Sequence, residues 1–182
     1  MNPPEKAVVF CMNEKTQIQA LDRTQPGLPM KKGRCGTMTH DYKRNGTTSL
    51  FAALNLLEGT VIGECNPRHR HQEFLKFLCR LEREVPQGVA LHLILDNYGT
   101  HKHTDVKKWL EKLPWFKLHF TPTSSSWLNL VKRVFGELTQ KQLRRGVFHS
   151  VPELIDTIDQ YLNVYNEGPK PFVCTAKVED IL

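Results

Sequence analysis

Asp96 follows directly on the apolar run LHLIL, and Asn97, His101 and His103 come after it within one loop. A carboxylate at a strand end has two common uses. It can cap the turn that follows, and Asp-Asn is a frequent turn pair. It can also face a ligand, because reactive groups in open α/β sheets collect at the carboxyl ends of the strands. For an isolated Asp the capping role is the commoner one, but here hydrogen-bonding groups are concentrated around it. His101 and His103 are candidate metal ligands. Without a third ligand beside them, loop or phosphate positioning is the better reading.

A second polar feature lies at residues 126–135, SWLNLVKRVF, behind the loop FTPTSSS. Ser126 reads as a helix cap. Trp127, Val131, Val134, Phe135 and Leu138 fall on one apolar stripe, with core packing as the ordinary role of Trp127. Asn129, Lys132 and Arg133 lie along its edge. The remaining chemistry is cationic: KKGR at 31–34, RHRH at 68–71, KR at 132–133 and KQLRR at 141–145.

These residues need elements to position them. AVVFCM (7–12) is an apolar, partly β-branched run and predicts a strand. Residues 22–44 hold Pro26, Gly27, Pro29, Gly33 and Gly36 with little periodicity, so a long loop is expected. TTSLFAALNLL (47–57) predicts a second strand. Glu58-Gly59 is a turn signal, and TVIGE (60–64) pairs back as a hairpin. Helical spacing of Phe74, Leu75, Phe77, Leu78, Leu81 and Val85 predicts a helix over 71–85, stopped by Pro86-Gln87-Gly88. VALHLIL (89–95) is nearly continuous and suits a strand buried on both faces. A helix over 105–113 ending at Pro114, a strand over 117–121, a helix over 126–145 and a helix over 151–164 follow. Three strands in succession, then alternating strands and helices, give an α/β fold with a mixed sheet covered by helices. That is the element order of a ribonuclease-H-like domain.

The bulk numbers agree with one domain. The chain has 182 residues, 40% hydrophobic and 24% charged, which is ordinary globular composition. No stretch approaches the roughly 18 apolar residues of a membrane span. The amino terminus MNPPEKAVVF lacks a basic region followed by a long apolar core, so no signal peptide is expected. Five scattered cysteines without a C-x-x-C pair argue against a disulfide framework or a zinc site. A net charge of +6 fits a polyanion partner, and a solvated basic surface explains it equally well.

Several long blocks carry a resemblance: LILDNYGTHKHTDVKKWL, HFTPTSSSWLNLVKRVFGELTQKQLRRGVF and NEGPKPF, preceded by NEKTQIQALDRTQPGLP, THDYKRNGTTSLFAALN and RHRHQEFLKFL. Over about residues 6–180 the chain resembles the catalytic domain of bacterial insertion-sequence transposases of the mariner-like superfamily. The resemblance implies a DDE endonuclease that cuts and joins DNA. In that family two aspartates and a glutamate hold two magnesium or manganese ions, which activate water or a 3′-hydroxyl for in-line attack on a phosphodiester. It also implies double-stranded DNA as partner, dimerisation with itself or a related transposase, and a bacterial cytoplasmic, nucleoid-associated location without membrane attachment.

Position by position, the second acid falls on Asp96. The first-acid position reads N-E-K where the family has D-E-K, so Asn13 stands there. The third lies in the W-L-N-x-V-E block, which here reads WLNLVKR, so Lys132 stands there. The resemblance therefore places Asn13, Asp96 and Lys132 together, with Asp96 as the remaining carboxylate ligand. Glu14 should point to the opposite face from Asn13, and Glu137 lies too far round its helix to substitute. An impaired enzyme is expected, and the alternative is a non-catalytic DNA-binding or transposase-interacting module. Arg68, His69, Arg70, Lys141, Arg144 and Arg145 are candidate phosphate contacts, each as readily a solvated charge. The family's helix-turn-helix recognition region is expected to be absent, leaving residues 1–182 as a single catalytic domain. Asn45 and Cys174 also depart from the family pattern.

Overall fold

The computed structural model describes residues 7–23, 32, 41–122 and 129–171. Its centre is a five-stranded sheet built from β1 (Ala7–Arg23), β2 (Tyr42–Asn55), β3 (Val61–Asn66), β4 (Ala90–Leu95) and β5 (Phe116–Phe120). The strands lie in the order β3-β2-β1-β4-β5. β1–β2 and β2–β3 pair antiparallel, whereas β1–β4 and β4–β5 pair parallel. The helices are α1 (His71–Glu84), α2 (Thr104–Leu110), α3 (Val131–Leu138) and α4 (Val151–Glu167). This is the expected mixed sheet of the ribonuclease-H-like type. No helix is long and apolar enough to cross a membrane among the described residues.

The period-two pattern of β2 divides the core. Leu50, Ala52 and Leu54 face α3 and α4, meeting Val131, Val134, Phe135, Leu138, Leu154 and Ile158. Phe51 and Ala53 face the other way, meeting α1 through Phe74, Phe77, Leu78 and Leu81. Each of these fully buried large side chains contributes roughly 1.5–3 kcal/mol of apolar transfer. The two stripes of α1 and α3 are those the spacing predicts. Trp127 and the proposed cap Ser126 lie outside the described residues.

The first strand runs eleven residues past its expected end. Its continuation, NEKTQIQALDR, pairs with β2 through register shifts between Lys15 and Ile18 and between Gln19 and Leu21. Thr16 and Gln17 occupy the first irregularity and are exposed, and Gln17 has φ 53°. A bulge inserts unpaired residues and breaks alternation, so the strand loses its signature in the sequence. The connection between the strands shortens accordingly, to residues 24–41.

Other boundaries shift less. β2 and β3 turn at Asn55–Thr60, where the Gly59 N–H donates to the Asn55 carbonyl at 2.9 Å. Gly59 has φ 76°, and a Cβ there would meet the Lys170 backbone at 2.6 Å. Conformation and space both require glycine.

Two expectations need correction. β4 is buried on one face only: Leu91, Leu93 and Leu95 enter the α1 core, while His92 and Ile94 are half-buried. β4 and β5 extend beyond the part of the sheet that α3 and α4 cover. The expected helix over 126–145 is α3 followed by a π-helical turn, Thr139–Leu143. The Thr139 hydroxyl donates to the Phe135 carbonyl at 2.6 Å, and the Arg144 N–H reaches back to the Thr139 carbonyl at 2.7 Å. Such back-bonding by Thr disturbs the i−4 ladder.

Candidate functional site

The parallel register pairs Cys11 of β1 with Ile94 of β4. Two residues further along each strand stand Asn13 and Asp96, level with one another at neighbouring positions. Asn13 opposes Ala52 on β2, which fixes its side chain on the α3–α4 face. Asp96 is the first residue beyond β4, and its Oδ1 lies 3.6 Å from Nδ1 of His101.

Asn13 is buried, and its Oδ1 accepts the Glu14 N–H at 2.8 Å. The Asp96 side chain is 29% exposed. Its Oδ1 accepts the Tyr98 N–H at 3.3 Å, so the turn-capping role is present as well. The capping contact leaves acceptor capacity on the carboxylate for a further ligand.

His101 holds the loop behind Asp96. Its ring is buried, with Nε2 2.8 Å from Glu14 Oε1 and Nδ1 3.2 Å from the Asp96 carbonyl oxygen. The Phe74 ring packs beside it at 4.5 Å. Acceptors at both nitrogens favour the doubly protonated ring. Burial, the largest single influence, pulls the imidazole pKa down. The Glu14 hydrogen bond and charge, with the Asp96 carbonyl and carboxylate, outweigh it and raise the pKa above the ordinary value. This is the loop-positioning role expected of His101. Glu14 is turned to the α1 face, away from Asn13, as alternation predicts.

The start of α3 is fastened to the same place. Asn129 is buried, and its Nδ2 donates to the Met12 carbonyl at 2.6 Å. Its Oδ1 is buried without a hydrogen-bond partner among the described residues. The Lys132 N–H donates to the Asn129 carbonyl at 3.1 Å, placing Lys132 in the first turn of α3, one turn from that tether. Lys132 is half-buried, and its ammonium makes no hydrogen bond or ion pair among the described residues. Glu137 is occupied elsewhere: Lys141 lies at 2.9 Å and Arg133 at 3.5 Å. The Lys141 hydrogen bond holds its carboxyl below the usual range.

A two-metal centre needs several hard, negative oxygen ligands. The three positions that the resemblance assigns to the acids supply one carboxylate, one amide whose oxygen already accepts a hydrogen bond, and one ammonium. These residues do not fit a pair of magnesium or manganese ions.

The cationic candidates are carried by elements on opposite faces of the sheet. Arg68, His69 and Arg70 precede α1, whereas Lys141, Arg144 and Arg145 follow α3. Arg68 and Arg145 are exposed, and Arg144 is exposed and engaged in an interaction. His69 is half-buried. Arg70 is paired with Glu73 at 2.7 Å and Lys141 with Glu137, so these two cations are partly neutralised in place.

Sequence reasoning did not anticipate the Glu14–His101 contact, which spans 87 residues. The signals were a carboxylate on the α1 face beside Asn13 and a histidine in the Asp96 loop. Nothing local joins them. His103, paired in sequence with His101, has a different neighbour: its ring stacks on that of His71, with centroids 3.6 Å apart.

Known proteins share this fold. A match to the family described as DDE superfamily endonuclease spans residues 9–155. The insertion element IS630 uncharacterized 39 kDa protein of Shigella sonnei is 27% identical over 96 residues, covering 53% of this chain and 28% of that protein. Among solved structures, the Mos1 strand transfer complex superposes with a TM-score of 0.62 at 16% identity, over 91% of this chain and 48% of that one. The catalytic core domain of BIV integrase gives 0.53 at 12% identity, over 90% and 86%. The chain thus spans less than half the length of the IS630 and Mos1 relatives. The chain belongs to the DDE superfamily endonuclease family.

Proposed function

We propose that this domain is built on the DNA strand-cleaving and strand-joining scaffold of an insertion-sequence transposase, and that this copy is catalytically impaired. The observation that carries the reading is the composition of the three acid positions: Asn13, Asp96 and Lys132. Asn13 keeps an oxygen but loses a charge. Lys132 replaces an anion with a cation. At an effective dielectric near 20, two unit charges about 5 Å apart interact by roughly 3 kcal/mol, and a divalent ion doubles that. Changing Glu to Lys removes an attraction and adds a repulsion. Lys can swing its ammonium toward solvent, which lessens the effect without restoring a ligand. Asp-to-Asn and Glu-to-Lys each need a single G-to-A change, which suits drift without selection for activity.

What persists in this reading is affinity for double-stranded DNA. The net charge of +6 and the exposed Arg68 and Arg145 support it. The Mos1 relatives include a paired-end complex with a left transposon end and one with manganese. A non-catalytic module that occupies DNA or pairs with an intact transposase follows from the same residues. A plasmid-nicking assay with magnesium or manganese, run beside an intact relative, tests the proposal. The expected result is DNA retention without nicking. Robust nicking by the wild-type domain would overturn the claim of impairment.

A further inference from the structure

His71 opens α1, and His103 is the residue on which α2 starts. Their rings stack at 3.6 Å with an interplanar angle of 11°. Asp105, in the first turn of α2, places Oδ2 3.5 Å from His71 Nε2 and 3.4 Å from His103 Nδ1. The three ligand atoms lie within 4.8 Å of one another. His71 is half-buried, while His103 and Asp105 are exposed.

The carboxylate distances are informative. Good N–H···O bonds measure about 2.7–3.2 Å, so the Asp105 carboxylate sits between two imidazoles without a tight bond to either. Ligand atoms about 2.0–2.1 Å from a tetrahedral ion lie about 3.3–3.4 Å from one another. Both measured separations are close to that tetrahedral edge. A histidine pair alone is weak evidence for a metal, and here the fold brings up a third ligand.

We propose that His71, His103 and Asp105 bind one zinc-class divalent cation, with water completing its shell. Two imidazoles and one carboxylate suit zinc, cobalt or nickel, whereas magnesium and manganese prefer all-oxygen surroundings. Imidazole lone pairs lie in the ring plane, so the stacked rings must splay to converge. The exposed His103 side chain has room to rotate, and its Nδ1 gives up only a 3.3 Å contact from the Asp105 N–H. Two helix N-termini oppose a cation here, and the Asp105 charge offsets them. The ion would clip the start of α1 to the start of α2. His103 ends the loop that leaves Asp96, so the clip would fix the far end of a loop whose near end His101 holds.

The test uses untagged, chelator-stripped protein. Zinc binding is followed by calorimetry, cobalt binding by visible absorption, and folding by circular dichroism. One ion per chain should bind the wild type and Asp96→Asn alike. His71→Ala and His103→Ala should each weaken binding at least about tenfold, and Asp105→Asn, a surface change, should also weaken it. Zinc should raise the Tm of the wild type and leave that of folded His71→Ala or His103→Ala unmoved. Zinc affinity unchanged in both histidine variants, loss of binding in Asp96→Asn, or no binding by the wild type at millimolar zinc would each overturn the proposal.

Discussion

The Asn129 side-chain amide donates to the main-chain carbonyl of Met12 at 2.6 Å, across 117 residues of sequence and within a fully buried setting. This bond fastens the beginning of α3 to the strand that carries Asn13. Removing a buried partner leaves the other group unsatisfied, which costs about 1–3 kcal/mol. Asn129→Ala should therefore destabilise the domain by that amount in urea unfolding. Asn129→Asp should cost more, because it also buries a charge. A variant as stable as the wild type would mean that α3 is held by its apolar face alone.

Acid sensitivity offers a second test. The Arg70 hydrogen bond, acting against partial burial, pulls the Glu73 carboxyl down to about 2. A carboxyl depressed on folding contributes stability above its ordinary pKa of 4.5, and loses that contribution as pH falls toward 2. Glu73→Gln keeps an acceptor for the Arg70 N–H but removes the charge. It should be slightly less stable than the wild type at pH 7, with the difference gone near pH 2. The effect is small because the pair lies at the surface. A constant difference at every pH would assign Glu73 a packing role instead.

Which parts of this fold the sequence discloses follows from where the information sits. The stripe of α1, the Glu58-Gly59 turn and the strand before Asp96 each carry a local period or a turn pair. The far half of β1 does not, because Thr16 and Gln17 sit in a bulge and hide the alternation of Ile18 and Ala20. The one-sided burial of β4 depends on which helices reach it, and no strand reports that about itself. At the site, Asn13 and Asp96 could be placed together only through the family pattern. Their register is long-range, fixed by Cys11 opposite Ile94. The Glu14–His101 and His71–His103–Asp105 contacts join segments that nothing local connects.

Binding to DNA should show counterion release. Association with duplex DNA should show little sequence preference and weaken steeply with salt. Arg68→Ala and Arg145→Ala should each lower the slope of log K against log salt by about one. Arg70→Ala and Lys141→Ala should change it less, since Glu73 and Glu137 already hold those cations. Filter binding at several salt concentrations reads the slopes. Salt-independent binding, or equal losses in all four variants, would contradict this account.

Repair of the site tests the proposed impairment directly. If the defect lies only in the ligands, Asn13→Asp together with Lys132→Glu should restore nicking of supercoiled plasmid with manganese or magnesium. Neither single change should suffice. Asn13→Asp alone leaves the Lys132 cation on α3, and Lys132→Glu alone leaves an amide on β1. The two effects should be strongly non-additive, as for residues that act as a unit. Nicking needs no recognition of a particular sequence, so the domain as it stands can be assayed. Activity in either single mutant would break the pairing of the two positions. A double mutant that folds like the wild type and stays silent would place further damage elsewhere. Asn45, whose Nδ2 donates to the Phe148 carbonyl at 3.2 Å, is the first position to revert. Cys174, outside the described residues, is the second.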